Sequence, residues 1–393
     1  MGDPSRAPPL TRASVIEAHE LIKEYVHLTP VLTCHTLDTI ASTPQEFTAL
    51  SDTPHDGLDV PAKPKIRFFF KCENFQRVGA FKVRGAFHAL KRLSKEELEK
   101  GVVTHSSGNH AQALALAART FNIPAHIVMP TISTPSKIAG TRSYGARIVF
   151  SGSTSQEREA VVSTVIAQTG ATLVPPYDHP NIILGQGTMA LELEAQVTAL
   201  LAPSEGPRKL DAVITPCGGG GMLSGVATAL LGSGIRVFGA EPSFQGADDA
   251  RRGIAARERV THVKSLTIAD GLRTPLGEWT WGIVSDRSKV AGVFSVSEDQ
   301  IKAAMRLVLE RMKVFIEPSA AVPLAVCLFN EEFRRLVERE GGEEGWNVGV
   351  VFSGGNTTVE AVAKIFETTD RKEERAAGEV GALGEREVQD VAG

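Results

Sequence analysis

The chain holds 393 residues, with 42 Lys and Arg against 46 Asp and Glu, a net charge of −4 and 42% hydrophobic residues. At about 150 residues per domain that length predicts two or three domains around a real core. The near-neutral charge argues against nucleic acid or an acidic membrane surface as the main partner, since both demand a basic excess.

Cys34, Cys72, Cys217 and Cys327 stand singly, without a CxxC pair or zinc-finger histidines, and predict a reducing compartment. No run reaches the length of a membrane span. The first ten residues hold Asp3 and three prolines and do not read as a secretory signal. The expectation is a cytoplasmic α/β protein.

In chain order, a helical start is followed by residues 41–65, rich in Ser, Thr, Asp and proline, which read as a surface insertion. A strand is predicted at Ile66 to Phe70, and Gly79-Ala80-Phe81-Lys82-Val83-Arg84-Gly85-Ala86 follows it. Lys82 stands at this strand-to-helix junction beside Phe81 and small residues, where a lysine is costly unless paired or used. Arg84 fits a structural role equally well. Ser94 with Glu97 marks a capping box.

The strand Val102 to His105 runs into Ser106-Ser107-Gly108-Asn109-His110, opening a helix whose N–H groups suit a substrate carboxylate. An N-cap serine is the plain alternative for Ser107. Further strands are predicted at Ala125 to Met129 and Arg147 to Phe150. After the strand Ala212 to Thr215 comes Pro216-Cys217-Gly218-Gly219-Gly220-Gly221-Met222 and then a helix. Four glycines let backbone N–H groups converge at a helix N-terminus, which predicts a phosphate cradle. No Lys-Ser or Lys-Thr follows, so this is not a P-loop.

Another strand is predicted at Val237 to Ala240, and Ser297 with Gln300 caps a helix whose Ile301, Met305, Val308 and Met312 share one face. The strand Val348 to Phe352 leads into Ser353-Gly354-Gly355-Asn356. Ligands in open α/β sheets collect at such carboxyl ends. Residues 367–393 are charge-rich and read as a disordered tail.

GAFKVRGA, SSGNHAQ, CGGGGM and SGGN, with Lys82, Ser107, Asn109, Gly218 to Gly221 and Ser353 in this order, resemble the fold type II pyridoxal-phosphate enzymes, in particular the serine racemase and serine/threonine dehydratase family. The likeness extends through Gly185-Gln186-Gly187-Thr188, Glu241-Pro242-Ser243, Ala269 to Arg273 and Glu317-Pro318-Ser319. It covers roughly Ala13 to Ala363. The resemblance implies a tryptophan synthase beta-like fold of two open twisted α/β domains. The larger is expected at 11–100 and 179–366, the smaller at 101–178, with the cofactor in the cleft between them.

It also implies roles. Lys82 would hold pyridoxal phosphate as an aldimine and serve as a base at the substrate α-carbon, with Ser107 on the opposite face. Phe81 would line the ring, Asn109 contact its hydroxyl and Ser353 its nitrogen. Gly218, Gly219, Gly220, Gly221 and Met222 would hold the phosphate. Ser106, Ser107, Asn109 and His110, with Arg158 and Asp270, would meet substrate. Glu241, the Ala247 carbonyl and Asp249 would bind Mg²⁺ or Ca²⁺ as in the racemase branch, although Phe244-Gln245-Gly246 lengthens this loop and Asp248 is a substitute for Asp249. The expected activity is dehydration or racemisation of serine, threonine or a related hydroxy amino acid by a homodimer. A β-replacement enzyme like cysteine synthase, or a non-enzymatic ligand-binding α/β protein, is the alternative.

Overall fold

A computed structural model describes residues 4–51, 53, 55–57, 60–201 and 209–367. The chain through Asn356 is one unit, and residues from Thr357 form a second. Beyond Glu367, the predicted tail lies outside the described residues.

The first unit is built on two sheets. The strands are β1 (Val31–Leu32), β2 (Ile66–Cys72), β3 (Val102–His105), β4 (Ala125–Pro130), β5 (Arg147–Ser151), β6 (Thr172–Leu173), β7 (Ala212–Pro216), β8 (Arg236–Pro242), β9 (Gly292–Val296) and β10 (Trp346–Phe352). Six of them form one sheet in the order β1-β2-β10-β7-β8-β9, parallel except for β1. The other four form a parallel sheet in the order β5-β4-β3-β6.

The reason for the all-parallel interior is written in the strands. β2, Ile-Arg-Phe-Phe-Phe-Lys-Cys, is buried at every position except Arg67. A strand covered on both faces by helices reads as a continuous apolar run rather than an alternation. On one face Phe70 stacks on Phe352 of β10 at 4.9 Å. Phe69 belongs instead to a core shared with Val15, Ile183, Leu223 and Val351.

β10, last in sequence, inserts between β2 and β7, so that Val350 is in register with both Phe70 and Ile214. The carboxyl ends of β2, β10 and β7 therefore lie side by side. This one topological fact positions the site.

The stretch 41–65 is mostly exposed where it is described, and it is tied down at both ends: the fully buried Arg334 donates to the carbonyls of Ala41 (2.7 Å), Thr43 (2.6 Å) and Ala62 (3.0 Å). Glu331 accepts the Ala62 N–H at 2.7 Å, and Leu50 and Ala62 are buried. One expectation needs correction, the single face predicted through Met312: the helix Glu298–Leu307 widens into a π-helical turn at Val308–Met312. The wider turn rotates the stripe, so Ile301, Met305 and Val308 are buried while Met312 is only half-buried. Among the described residues no helix is long and apolar enough to cross a membrane.

Candidate active site

The segment after β2 turns back through Gly79, at φ +67°, and reaches Lys82 as the first residue of the helix Lys82–Lys91. It is stitched to the end of β10: the Phe81 N–H donates to the Ser353 carbonyl at 3.1 Å and Ala80 bridges Gly354. Ser353 is buried at the same place. Lys82 Nζ donates to the Pro176 carbonyl at 2.6 Å and lies 5.1 Å from the centre of the Phe81 ring. Burial pushes the amine down to about 8, with Glu317 pulling the other way. A half-buried lysine with a depressed pKa is suited to act as a nucleophile or base near neutral pH.

Arg84, two residues on, is structural. Its guanidinium grips Glu73 through Nε and Nη2, both at 2.8 Å, and Glu192 through Nη1 and Nη2 at 2.8 and 2.7 Å. Lys71 Nζ completes the cluster at 2.7 Å from Glu192. Two cations and two carboxylates, all buried, hold the start of the helix on which Lys82 stands.

The glycine loop follows β7 and opens the helix Gly221–Leu230. Each glycine is required by close approach of other chain segments. A Cβ on Gly218 would lie 2.9 Å from Leu272 Cα, one on Gly219 2.5 Å from Tyr177 Cγ, and one on Gly221 3.0 Å from Tyr177 Cα. Gly220 has φ +82° and faces Leu276. Met222 is buried in the first turn.

β3 of the smaller sheet delivers Ser106, Ser107, Asn109 and His110. The helix Asn109–Thr120 starts behind Gly108 with no side-chain cap, so Ser107 is not spent as an N-cap. Ser106 Oγ accepts the Gly108 N–H at 3.3 Å. The Asn109 amide is fixed at both ends: Nδ2 donates to Glu317 at 3.0 Å and Oδ1 accepts from Asn356 Nδ2 at 2.8 Å. His110 Nε2 bonds the Val174 carbonyl at 3.1 Å, and Nδ1 is buried without a partner. Burial, then the charge of Lys82, lowers this imidazole to about 3, so it is neutral.

In the sequence Glu317 stands only within the Glu317-Pro318-Ser319 match, with no role of its own. It is buried, takes Asn109 Nδ2 and the Asn356 N–H (3.1 Å), and is the carboxylate that acts on Lys82. Burial and then the charge of Asp270 raise it to about 7. The available signal was a carboxylate directly before a helix-starting proline at a strand-like apolar segment. Tyr177, packed on Gly219 and Gly221, gave no sequence signal.

Two predicted substrate residues have other partners. Asp270 pairs with Lys137 at 2.7 Å, near enough to Glu317 for its charge to act on that carboxyl. Arg158 donates to the Ser153 carbonyl at 2.8 Å, within its own helix entry. Its charge, after burial, lowers His105 at the end of β3.

Glu241, at the end of β8, accepts the N–H groups of Ala250 (3.0 Å) and Arg251 (2.9 Å). Asp249 opens the same helix and accepts the Leu276 N–H at 3.3 Å through Oδ2, while Oδ1 is buried without a partner. Burial and mutual repulsion raise Glu241, and burial first raises Asp249 to about 7. Asp248 pairs with Arg252 at 3.0 Å. Ala247 is buried between them and the turn Phe244–Gly246. Among the described residues no cluster of three or more His, Cys, Asp or Glu forms a metal centre.

Residues 48–354 match the family model described as pyridoxal-phosphate dependent enzyme. The chain belongs to this family. Serine racemase of Arabidopsis thaliana is 40% identical over 358 residues, 91% of this chain and 96% of the relative. The L-threo-3-hydroxyaspartate ammonia-lyase of Saccharomyces cerevisiae is 39% identical over 360 residues, again 91% and 96%. The solved structure of maize serine racemase superposes with a TM-score of 0.75 at 37% identity, covering 93% of this chain and 99% of that one. The two sheets are thus those of the tryptophan synthase beta-like fold, and the chain is a member of the serine racemase and threonine deaminase group.

Proposed function

We propose that the protein is a pyridoxal-phosphate enzyme that both racemises and dehydrates serine or a related β-hydroxy amino acid. The observation that carries this reading is the convergence of a half-buried, pKa-depressed Lys82 with Ser353, Asn109 and the four-glycine loop at adjoining strand ends. The residues fit the cofactor. Lys82 Nζ would be the attachment point, Gly218 to Gly221 and Met222 would offer N–H groups to its phosphate, Phe81 would line its ring, and Asn109 and Ser353 would offer hydrogen bonds to the ring hydroxyl and nitrogen. When bound, pyridoxal phosphate supplies an electron sink that stabilises negative charge on a substrate α-carbon.

The chain supplies position and proton transfer. Lys82 Nζ, near 8, is poised to take and return the α-proton at neutral pH. Ser107, outside the helix cap, is the second proton carrier, and inversion needs two carriers on opposed faces. The open N-terminus of Asn109–Thr120, with Ser106 and His110, binds the substrate carboxylate. Asp270 and Arg158 would meet substrate only after giving up Lys137 and the Ser153 carbonyl, their present partners. Return of the proton gives the enantiomer; loss of the β-hydroxyl as water gives, after hydrolysis, a keto acid and ammonia.

A divalent cation would be held by Glu241 and Asp249, two buried carboxylates of which one has an unpartnered oxygen, a set of the kind Mg²⁺ or Ca²⁺ prefers, and the Ala247 carbonyl would be the third ligand. Within the unit that ends at Asn356, we assign a larger domain to 11–100 and 179–356 and a smaller one to 101–178, in a cytoplasmic homodimer.

The test is to incubate the holoenzyme with L-serine, D-serine and L-threonine, with and without Mg²⁺, assaying keto acid and enantiomer. Appearance of both products from L-serine supports the reading. Sulfide-dependent consumption of a substituted serine without either product would replace it with β-replacement. Lys82→Ala should lose both activities by more than about a thousandfold, and retention of the cofactor's visible absorbance would remove Lys82 from its role.

A further inference from the structure

The four residues Pro176-Tyr177-Asp178-His179 join three parts of the site. The Pro176 carbonyl takes Lys82 Nζ, and Tyr177 packs on Gly219 and Gly221. His179 caps the long helix Pro180–Leu200, accepting the Asn181 N–H at 3.1 Å.

Asp178 does something different. Its Oδ2 accepts the Glu278 N–H at 2.9 Å and its Oδ1 the Thr280 N–H at 3.1 Å, capping the helix Glu278–Val284 from a segment 100 residues earlier. A Cβ on Gly277 would fall 2.0 Å from Asp178 Cγ, so the residue that normally caps has given up its side chain to admit this carboxylate.

The helix that Asp178 caps is one wall of the glycine loop. A Cβ on Gly220 would lie 2.4 Å from Leu276 and 2.9 Å from Thr280 Cβ. Gly218 abuts Gly271 and Leu272 on the same stretch. A capping carboxylate supplied by the segment leading directly into the helix would fix only the helix. Supplied by Asp178, it fixes the helix relative to Tyr177, and so clamps the loop from two sides.

We propose that Asp178 is a positioning residue for the phosphate cradle, holding the Leu272–Thr280 wall against Gly218 to Gly221. This rests on the reading of the four glycines as the phosphate site. The chemical consequence is selectivity for the phosphate group: a loop whose N–H groups are held convergent gains more from an anion than one free to splay.

The experiment compares pyridoxal phosphate with pyridoxal, which lacks the phosphate, by absorbance titration of the full chain stripped of cofactor. Wild type should prefer the phosphate form by about a hundredfold or more. If it binds the two equally, the glycine loop is not a phosphate site and the underlying reading fails. Asp178→Ala should compress that preference by about tenfold, with pyridoxal affinity changed by less than about twofold. Asp178→Asn, which keeps one acceptor oxygen, should fall between. Gly277→Ala, which pushes on the carboxylate from the other side, should reproduce the compression.

Circular dichroism separates a local from a global effect, and where Asp178→Ala does not fold the other two variants decide. An unchanged preference in folded variants overturns the role of Asp178 and leaves the cradle standing. Equal loss of both ligands overturns it too, because a general loosening of the site is not selective for phosphate.

Discussion

At the scale of single residues, the site works by burying charge where charge must move. Lys82, Glu317 and His110 are shielded from water, and each is displaced toward its neutral form. Glu317 makes a measurable prediction. Its ordinary value of 4.5 becomes about 7 in the fold, so between these values the folded state binds the extra proton. The stability it contributes is present below pH 4.5 and lost as pH rises through 7. Glu317→Gln should therefore flatten the fall in urea-unfolding free energy between pH 4.5 and 7, by on the order of 3 kcal/mol. Glu241 and Asp249 contribute slopes of the same sign, so the comparison is the difference between variant and wild type. A variant with the wild-type slope would place the titration elsewhere. Ser107→Ala separates the two reactions: conversion between L- and D-serine should fall by about a hundredfold to ten-thousandfold, while keto acid formation from L-serine stays within about tenfold. Chiral chromatography alongside a keto-acid assay reads both, and parallel losses would remove Ser107 as the second proton carrier.

At the scale of elements, the sequence is legible where local chemistry decides. The strand Val102–His105 and the capping boxes at Ser94 and Ser297 stand where the alternation and the Ser-x-x-Glu/Gln spacing put them. The π-turn after Leu307 and the docking of 41–65 were not legible, since one depends on a register shift and the other on Arg334 from almost 300 residues away. Arg84 is the instructive case. Beside Lys82 in sequence, it pairs with Glu73 and Glu192 on two other elements, a partnership that no local pattern reveals. Arg84→Met would leave buried Glu73 with only the Thr29 hydroxyl and Glu192 with Lys71 and His19, and should cost about 3–5 kcal/mol in urea unfolding. The KM for L-serine should be unchanged in the protein that remains folded. A raised KM with unaltered stability would instead make Arg84 a substrate residue.

At the scale of the whole molecule, strand order makes the site. Lys82, Gly218 and Ser353 are separated by more than a hundred residues at each step, and become neighbours because β10 enters between β2 and β7. The acid pair joins them indirectly: Asp249 holds the Leu276 N–H, and Leu276 lines Gly220. Cation binding should thus stabilise the whole fold. At about a hundred times its dissociation constant, Mg²⁺ or Ca²⁺ should add about 2.7 kcal/mol, raising the thermal midpoint of wild type. Glu241→Gln and Asp249→Asn should abolish the rise, and an equal rise in both would move the cation to another site.

The sequence by itself determined the α/β class, the glycine cradle, the lysine at a strand-to-helix junction and the family these motifs belong to, because each is a short-range pattern of residue types at fixed spacing. Only the tertiary structure decided that Asn109 is held by Glu317 and Asn356, that Asp178 caps a helix a hundred residues away, and that Arg84 is structural. Those are contacts between side chains and distant backbone. They are set by sheet order and burial, to which sequence neighbours contribute nothing directly.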